Sequence, residues 1–216
     1  MKQLVLYCHP NPGSFCHAIL DTVVETLRGK GHEVKVKDLY GEAFDPVLKD
    51  SDFKALQAGK TPTDIKAEQD LVAWAEAITV IYPVWWTGLP AMLKGYIDRV
   101  FALEFAYTFG PDGPKGLLGG RKVIVLSSQG AFKEAYDTSG MTDAMKKTTD
   151  VGIWSFCGME VLEHRFFGAV PLTDDITRKS YLSEVKEVMG ASDFGMAGTP
   201  RQGSVGKSEC RRRSVR

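Results

Sequence analysis

Three short segments hold the residues whose types and spacing could bind a ligand. The first, residues 9–14, reads His-Pro-Asn-Pro-Gly-Ser and ends directly before an amphipathic helix pattern. The free N–H groups and the dipole of a helix N-terminus favour phosphate. The Ser14 hydroxyl and nearby His9 suit such a group, as do the N–H groups of Phe15 and Cys16. An N-capping serine beside a surface histidine explains this segment equally well.

The second segment, residues 83–88, contains two adjacent tryptophans between Pro83 and Gly88. It follows an apolar run, residues 78–82, which predicts a buried strand, and it precedes an amphipathic helix pattern ending at Phe101. Prolines at 83 and 90 separate strand from helix and stiffen the loop. Its rings and N–H groups suit a planar heterocycle with a polar edge, although by itself the segment slightly favours a packed connecting loop.

The third segment, Ser127-Ser128-Gln129-Gly130, follows another apolar run at residues 123–126. Its small residues allow a flat ring to lie close to the backbone. A phosphate held at the first segment and a ring held between the other two describe a flavin.

Competing chemistries lack their motifs. The sequence contains neither GxGxxG nor GxxxxGK[ST], which disfavours a Rossmann dinucleotide site and a P-loop nucleotidase. It shows no GxSxG elbow, and no cluster of histidine with cysteine or carboxylate predicts a metal site.

Composition limits the class of protein further. The 216 residues suffice for one sizeable α/β domain, and the formal net charge of zero gives no argument for nucleic acid or a membrane surface. We expect no membrane-spanning segment and no signal peptide. The four cysteines show no CxxC spacing, so buried free thiols in a reducing, cytoplasmic protein are expected.

Five predicted strands alternate with helices along the chain and would position the three segments. The strands cover residues 3–8, 32–39, 78–82, 123–126 and 160–167. This alternation predicts an α/β, flavodoxin-like three-layer sandwich with a five-stranded parallel sheet of order 2-1-3-4-5. Ligands of such sheets bind beyond the carboxyl ends of the strands, where strands 1 and 3 diverge. All three segments belong there, which makes the tryptophan loop a stronger candidate.

Helix boundaries and the domain limits follow from capping residues and glycines. Ser14 should cap the first helix, and Thr63 or Asp64 a later one. Residues 142–157 predict one helix stopped by Gly158, and residues 177–189 predict the last helix. The flavin-binding domain should therefore cover residues 1–189. Residues 190–216, with five glycines and five arginines, predict a disordered tail.

Residues 3–189 resemble the NAD(P)H:quinone oxidoreductases of DT-diaphorase type. The resemblance rests on residues 38–40, 64–69, 83–101 and 104–108 together with the first segment. It implies hydride transfer from NAD(P)H to a bound flavin and then to a quinone, in a homodimer with ping-pong kinetics. The short connection after the second strand and the lack of a C-terminal domain resemble shorter bacterial members, some of which bind FMN.

The resemblance also implies roles for individual residues. Tyr136 falls within one residue of a tyrosine that stabilises charge on the reduced ring, whereas Thr142 stands where the family has a histidine. Tyr107 and Phe109 match residues that line the pocket of the partner subunit. Arg178 matches a basic residue near an adenylate, which favours FAD over FMN. The implied flavin contacts are His9, Ser14, Phe15, Cys16, Ala18, Pro83, Val84, Trp85, Trp86, Thr87, Ser127, Ser128, Gln129, Gly130 and Arg178.

Other functions remain open from the sequence. Azo or nitro compounds are alternative acceptors, and some short relatives act as regulatory subunits of potassium-efflux transporters. A flavodoxin-like electron carrier would show a stable semiquinone and little NAD(P)H turnover. A domain that binds no flavin would be colourless.

Overall fold

A computed structural model describes residues 1–191 of the chain. Its main sheet is parallel and has the order β2-β1-β3-β6-β7. The five strands are β1 (Lys2–Tyr7), β2 (Glu33–Asp38), β3 (Ala77–Pro83), β6 (Lys122–Ser128) and β7 (Glu160–Phe167). Two further strands, β4 (Tyr107–Gly110) and β5 (Gly113–Gly116), form a separate antiparallel hairpin. Counting the parallel strands alone gives the order 2-1-3-4-5, which confirms the predicted fold class.

Helices cover both faces of this sheet. They are α1 (Phe15–Gly29), α2 (Asp50–Gln57), α3 (Thr63–Trp74), α4 (Ala91–Val100), α5 (Lys133–Thr138), α6 (Met141–Lys146) and α7 (Asp175–Ala191), and a π-helix over Lys147–Ser155 continues α6. Apolar side chains of α1 and α7 form one buried cluster with one sheet face, and those of α3, α4 and the π-helix form another with the opposite face. Every residue of β3 is buried, as expected of a central strand.

Two local predictions about helices were wrong. Helix α3 begins at Thr63 after Pro62 and has no side-chain cap, so neither Thr63 nor Asp64 caps it. The single helix predicted over residues 142–157 is α6 followed by the π-helix. By contrast, the Ser14 hydroxyl accepts the His17 N–H at 3.2 Å, which confirms the predicted cap of α1.

Helix α7 ends at Ala191, two residues past the end predicted for the last helix, so it includes the first two residues of the predicted tail. The rest of that predicted tail, residues 192–216, lies outside the described residues.

The long connection between β2 and α3 is fastened onto helix α4 by Arg99. The Arg99 side chain is only 4% exposed, and its Nε donates to Asp52 at 2.9 Å while one Nη lies 3.0 Å from the Asp64 carboxylate. Its other Nη donates to the Asp45 carbonyl at 2.9 Å. Next to it, the backbone of Pro46 lies directly against Gly95 of α4. Since α4 follows the tryptophan loop, these contacts hold the helix that supports that loop.

We expect Gly95→Ala to destabilise the fold by about 2–4 kcal/mol, because the helix and the connection cannot both keep their places. A Cβ at residue 95 would stand 2.1 Å from the Pro46 carbonyl oxygen and 2.4 Å from the Pro46 Cβ. Urea unfolding measures the change in the free energy of unfolding.

Gly29→Ala is the matched control, because a Cβ at this helical position meets no atom within 4 Å. Its free energy of unfolding should be unchanged or up to about 1 kcal/mol higher. If Gly95→Ala unfolded at the same urea concentration as Gly29→Ala, the close approach of Pro46 to α4 would be refuted.

Candidate functional site

The three predicted segments meet at the carboxyl edge of the sheet. The Val84 N–H donates to the Ser128 carbonyl at 2.7 Å, which joins the second segment to the third. The Cys16 Sγ lies 3.1 Å from the Ser128 Oγ, which joins the first segment to the third. The rings of His9 and Trp85 lie 6.0 Å apart, centre to centre, which brings the first segment to the second. One edge of the sheet therefore gathers all three.

The first segment presents hydrogen-bond donors. The Asn11 N–H donates to the His9 Nδ1 at 3.0 Å, so in the neutral imidazole the proton is on Nε2 and Nε2 is a donor. Burial lowers the pKa of His9, which favours this neutral form near pH 7. The Asn11 carboxamide accepts the Gly13 N–H at 2.8 Å and shapes the turn before Ser14. The first N–H groups of α1 lack intrahelical acceptors and lie beside these donors.

Phe15 and Ala18, two predicted flavin contacts, lie in α1 just after the first segment. The Phe15 ring packs against Phe167 at 6.2 Å and against Tyr181 at 6.1 Å, and it thereby ties the start of α1 to β7 and α7. The Ala18 N–H donates to the Ser14 carbonyl at 3.3 Å, and the Ala18 carbonyl accepts the Thr22 hydroxyl at 2.8 Å. Both backbone groups of Ala18 are therefore engaged within α1, so a ligand at this helix end would meet the N–H groups that precede it.

The tryptophan loop is a tight turn in a costly conformation. Trp85 and Gly88 exchange two backbone hydrogen bonds of 3.2 and 3.1 Å around Trp86 and Thr87. Both central residues are left-handed, with φ of 50° and 57°. Turns of this kind favour Asn and Gly, and bulky residues in them cost about 1–3 kcal/mol each. The Trp86 side chain is also 100% exposed. A strained loop with a fully exposed tryptophan is typical of a binding surface.

The third segment divides into residues that face the protein and one that faces open space. The buried Ser127 hydroxyl points to the Arg165 carbonyl at 3.4 Å. The Gln129 N–H donates to the Phe167 carbonyl of β7 at 2.8 Å, its carbonyl accepts the Val170 N–H at 3.0 Å, and the residue is 2% exposed. A Cβ added to the exposed Gly130 would meet nothing within 4 Å. Gly130 is therefore the member of this segment that leaves room for a ligand.

Arg178 is already engaged by its own surroundings. Its Nε and one Nη donate to the Asp175 carboxylate at 3.2 and 2.8 Å. Its other Nη donates to the Val170 and Thr173 carbonyls at 3.1 and 2.6 Å. These contacts use four of the five guanidinium N–H groups and fix the turn between β7 and α7.

Tyr136 lies half-buried on α5, a short helix that the sequence analysis missed. Thr142, in the place of the family's histidine, is buried, and its hydroxyl donates to the Asp137 carboxylate at 2.6 Å. This contact joins the start of α6 to the helix that carries Tyr136. The short helix has no apolar periodicity of its own from which it could be predicted.

Tyr107 and Phe109 form an aromatic cluster on the hairpin, with ring centres 5.8 Å apart. Phe156, at the end of the π-helix, joins this cluster with its ring 5.2 Å from that of Tyr107. Phe109 is 66% exposed and Phe156 41%. The sequence analysis missed Phe156, because only the π-helix and the hairpin together bring these rings into contact.

A model of the flavodoxin-like fold family matches residues 1–189 of the sequence. The chain belongs to this family. Among its relatives, an NAD(P)H oxidoreductase of Haemophilus influenzae, itself uncharacterized, is 33% identical over 183 residues, which cover 84% of this chain and 91% of that protein. NAD(P)H dehydrogenase [quinone] 1 of Cavia porcellus is 29% identical over 86% of this chain and 75% of its own length.

Solved structures of other proteins resemble this flavodoxin-like chain closely. NAD(P)H:quinone oxidoreductase of Methanothermobacter marburgensis superposes with a TM-score of 0.78 at 28% identity, over 88% of this chain and 95% of its own. Smu.1420 of Streptococcus mutans superposes with a TM-score of 0.75 at 32% identity, over 88% and 98% of the two chains. The family resemblance inferred from the sequence is thereby confirmed.

The described part of this flavodoxin-like domain has neither a cluster of metal ligands nor a helix that could span a membrane. Within residues 1–191, no three side chains of the His, Cys, Asp or Glu type are grouped as metal ligands. None of the helices in the same range has both the length and the apolar character needed to span a bilayer.

The three cysteines of the described domain are free and buried. Burial raises the pKa of the Cys8 thiol to about 12 and the pKa values of Cys16 and Cys157 to about 11. Because the thiolate is the reactive form, Cys16 beside the first segment is a packing residue and a weak polar partner of Ser128.

In a Cys210→Ser variant, these three thiols should react with iodoacetamide at pH 8 at least about 100-fold more slowly than free cysteine, because almost none is ionised. Mass spectrometry after timed quenching measures the labelling of each cysteine, and the unfolded protein, in which all three should label, is the control. Rapid labelling of Cys16 in the folded protein would contradict its burial.

Proposed function

We propose that the protein is a flavin-dependent NAD(P)H:quinone oxidoreductase that reduces its acceptor by two electrons in a ping-pong cycle. The observation that carries this proposal is that three segments suited to a ligand meet at the carboxyl edge of the sheet, where the chain leaves the neighbouring strands β1 and β3. Open parallel sheets bind their ligands at this switch point.

The residues at this edge fit a flavin. The His9 Nε2–H, Ser14 and the N-terminus of α1 offer donors to the phosphate. The open space at Gly130 and the exposed rings of Trp85 and Trp86 suit the flat ring system. When bound, the flavin supplies the chemistry of accepting and passing on hydride.

The protein contributes position and electrostatics to this reaction. The tryptophan loop, held to β6 by the bond from Val84 to Ser128, forms a wall for the ring and excludes water. Tyr136 offers a hydroxyl that stabilises charge where it develops on the ring. NAD(P)H and the acceptor would stack in turn at one site, which is the reason for the ping-pong order.

The names of two relatives support a quinone as the acceptor. NAD(P)H dehydrogenase [quinone] 1 of Cavia porcellus and NAD(P)H:quinone oxidoreductase of Methanothermobacter marburgensis are named for quinone reduction. The pair of aromatic rings at Tyr107 and Phe156 suits a flat, apolar acceptor of this kind.

The proposed cofactor is FAD, with FMN as the alternative. Four of the five guanidinium N–H groups of Arg178 already donate within the chain, so the side chain cannot form a two-bond contact with a phosphate. It could still hold an adenine by stacking through its planar guanidinium. FMN would need no contact with Arg178 at all.

We further propose a cytoplasmic homodimer. Phe109 and Trp86 are large apolar side chains with high exposure, and a second copy that covers them would also close the site. The free state of Cys8, Cys16 and Cys157 suits a reducing compartment.

The decisive experiment is the visible spectrum of the purified protein followed by mass identification of any released cofactor. A flavin spectrum with NADH- or NADPH-dependent quinone reduction is the expected result, and the mass distinguishes FAD from FMN. A colourless protein that takes up neither flavin would refute the proposal.

Variants of the two ring-facing segments test the placement of the flavin. Trp86→Ala should weaken flavin binding about tenfold by loss of stacking, and Gly130→Trp should abolish binding by filling the open space. Gly130→Ala is the matched control and should bind normally. Fluorescence titration measures the dissociation constants, and normal binding by both Trp86→Ala and Gly130→Trp would show that the ring lies elsewhere.

Tyr136→Phe should slow flavin reduction by NAD(P)H about 10- to 100-fold, because the ring edge loses a hydrogen bond to its developing charge. Flavin affinity should change less than twofold, since the aromatic ring remains. Stopped-flow measurement of the reductive half-reaction checks this, and an unchanged rate would remove Tyr136 from the mechanism.

A further inference from the structure

A buried histidine–carboxylate contact lies behind the candidate site. The His164 Nδ1 on β7 and the Asp150 Oδ1 on the π-helix are 2.7 Å apart, with side chains 1% and 15% exposed. Asp150 also accepts the Thr149 hydroxyl at 3.0 Å. None of the sequence motifs predicted this pair, since its partners are fourteen positions apart and the π-helix brings them together.

Aromatic rings fix the orientation of His164. Its ring stacks on Phe166 with centres 4.0 Å apart and planes inclined by 21°, and it meets the Tyr82 ring at 6.5 Å. The Nε2 is buried and has no hydrogen-bond partner among residues 1–191. Within residues 1–191, the contact of Nδ1 with Asp150 is therefore the one hydrogen bond of the His164 side chain.

Asp150 lies in the middle of the π-helix, which continues α6 without a break, while α5 precedes α6 across the left-handed Gly140. We call residues 131–157, which hold these three helices, the arm. The arm is fastened at its beginning by the Ala169 N–H, which donates to the Ala131 carbonyl at 2.8 Å. At its end the Leu118 N–H donates to the Cys157 carbonyl at 2.8 Å. Between these points, the contact with His164 joins the arm to the sheet.

This arm carries Tyr136 near its beginning and Phe156 at its end. Tyr136 lies on α5, which is tied to α6 by the bond from Thr142 to Asp137. Phe156 follows the π-helix and packs on Tyr107, whose counterpart in the family lines the pocket of the partner subunit. A shift of the π-helix relative to β7 would displace Phe156 directly and Tyr136 through the bond from Thr142 to Asp137.

Apolar burial of Trp154 and Met145 also holds the arm against the sheet. Such packing is non-directional and tolerates sliding. A hydrogen bond between an imidazole and a carboxylate instead depends strongly on distance and angle. The pair therefore adds a directional contact in the middle of the arm to the backbone bonds that hold its two ends.

We propose that His164 and Asp150 are positioning residues that hold Tyr136 and Phe156 in place for the acceptor. This inference rests on the proposed function. A π-helix suits such a task, because its rare wide turn is frequently found at functional sites.

Three substitutions of His164 separate positioning from packing. His164→Asn keeps a donor close to the place of Nδ1, His164→Gln moves it towards the place of Nε2, and His164→Leu removes it. The Asn variant should keep the acceptor KM of the original protein within twofold. The Gln and Leu variants should raise this KM about tenfold, by misplacement of the arm, while flavin affinity stays within twofold.

The kinetics are measured at a temperature well below every unfolding midpoint, with 1,4-benzoquinone as acceptor. If His164→Gln and His164→Leu only lowered the unfolding midpoint and left KM and kcat unchanged, the pair would be a stability contact and the inference would be overturned. Asp150→Ala, which removes the acceptor of the Nδ1–H, gives a second reading if His164→Leu does not fold, and it should raise KM as His164→Gln does; an unchanged KM would overturn the inference. A wild-type protein without quinone turnover would instead overturn the proposed function.

Discussion

The shared direction of β1, β3 and β6 is the constraint on which the candidate site depends. Since all three strands run parallel, the segments that follow them leave the same edge of the sheet. The order of the strands places β1 and β3 side by side although a helix, a strand and a long connection separate them in sequence. Residues 9, 84 and 128 are thereby neighbours. Reversal of any one strand would leave no site, whatever the loops contained.

The tryptophan loop has a conformation and an exposure that packing of the described chain does not explain. A protein alone gains little from a fully exposed Trp86, and it loses stability through two left-handed residues in succession. The loop persists because its surroundings are rigid. Its start is bonded to Ser128, and α4 behind it is held by the contacts of Arg99 and Gly95. A ligand or a second subunit that covered Trp86 would recover the apolar burial that the described chain lacks.

The fold was predictable because it depends on patterns that extend over many residues. Apolar runs such as residues 78–82 and 123–126 identify buried strands in any context, and their alternation with helices limits the topology. The hairpin of β4 and β5, the short α5 and the π-helix were not predictable in the same way. Each is six to ten residues long and is stabilised by contacts with distant residues, such as the pairing of His164 with Asp150.

The meeting of the three segments was predictable, whereas the directions of their side chains were not, for a related reason. Sequence resemblance assigns a role to a position, but the direction of each side chain depends on the backbone around it. Gln129 and Ser127 lie in the expected segment, yet their side chains are buried within the protein, and Arg178 is occupied by Asp175. Sequence alone could not show this, because strand alternation and local turns decide it.

Several residues that carry the family resemblance serve the scaffold and not the ligand. The Asp38 carboxylate accepts the N–H groups of Tyr40 and Gly41 at 3.1 and 2.9 Å, which closes the turn after β2. Asp64 and Arg99 hold the long connection in place. These residues give the loops at the edge a fixed support. The resemblance is therefore strong evidence for the geometry of the edge, whereas the chemistry performed there depends on the few groups left open to a ligand: the His9 Nε2, the N-terminus of α1, the space at Gly130 and the rings of the tryptophan loop.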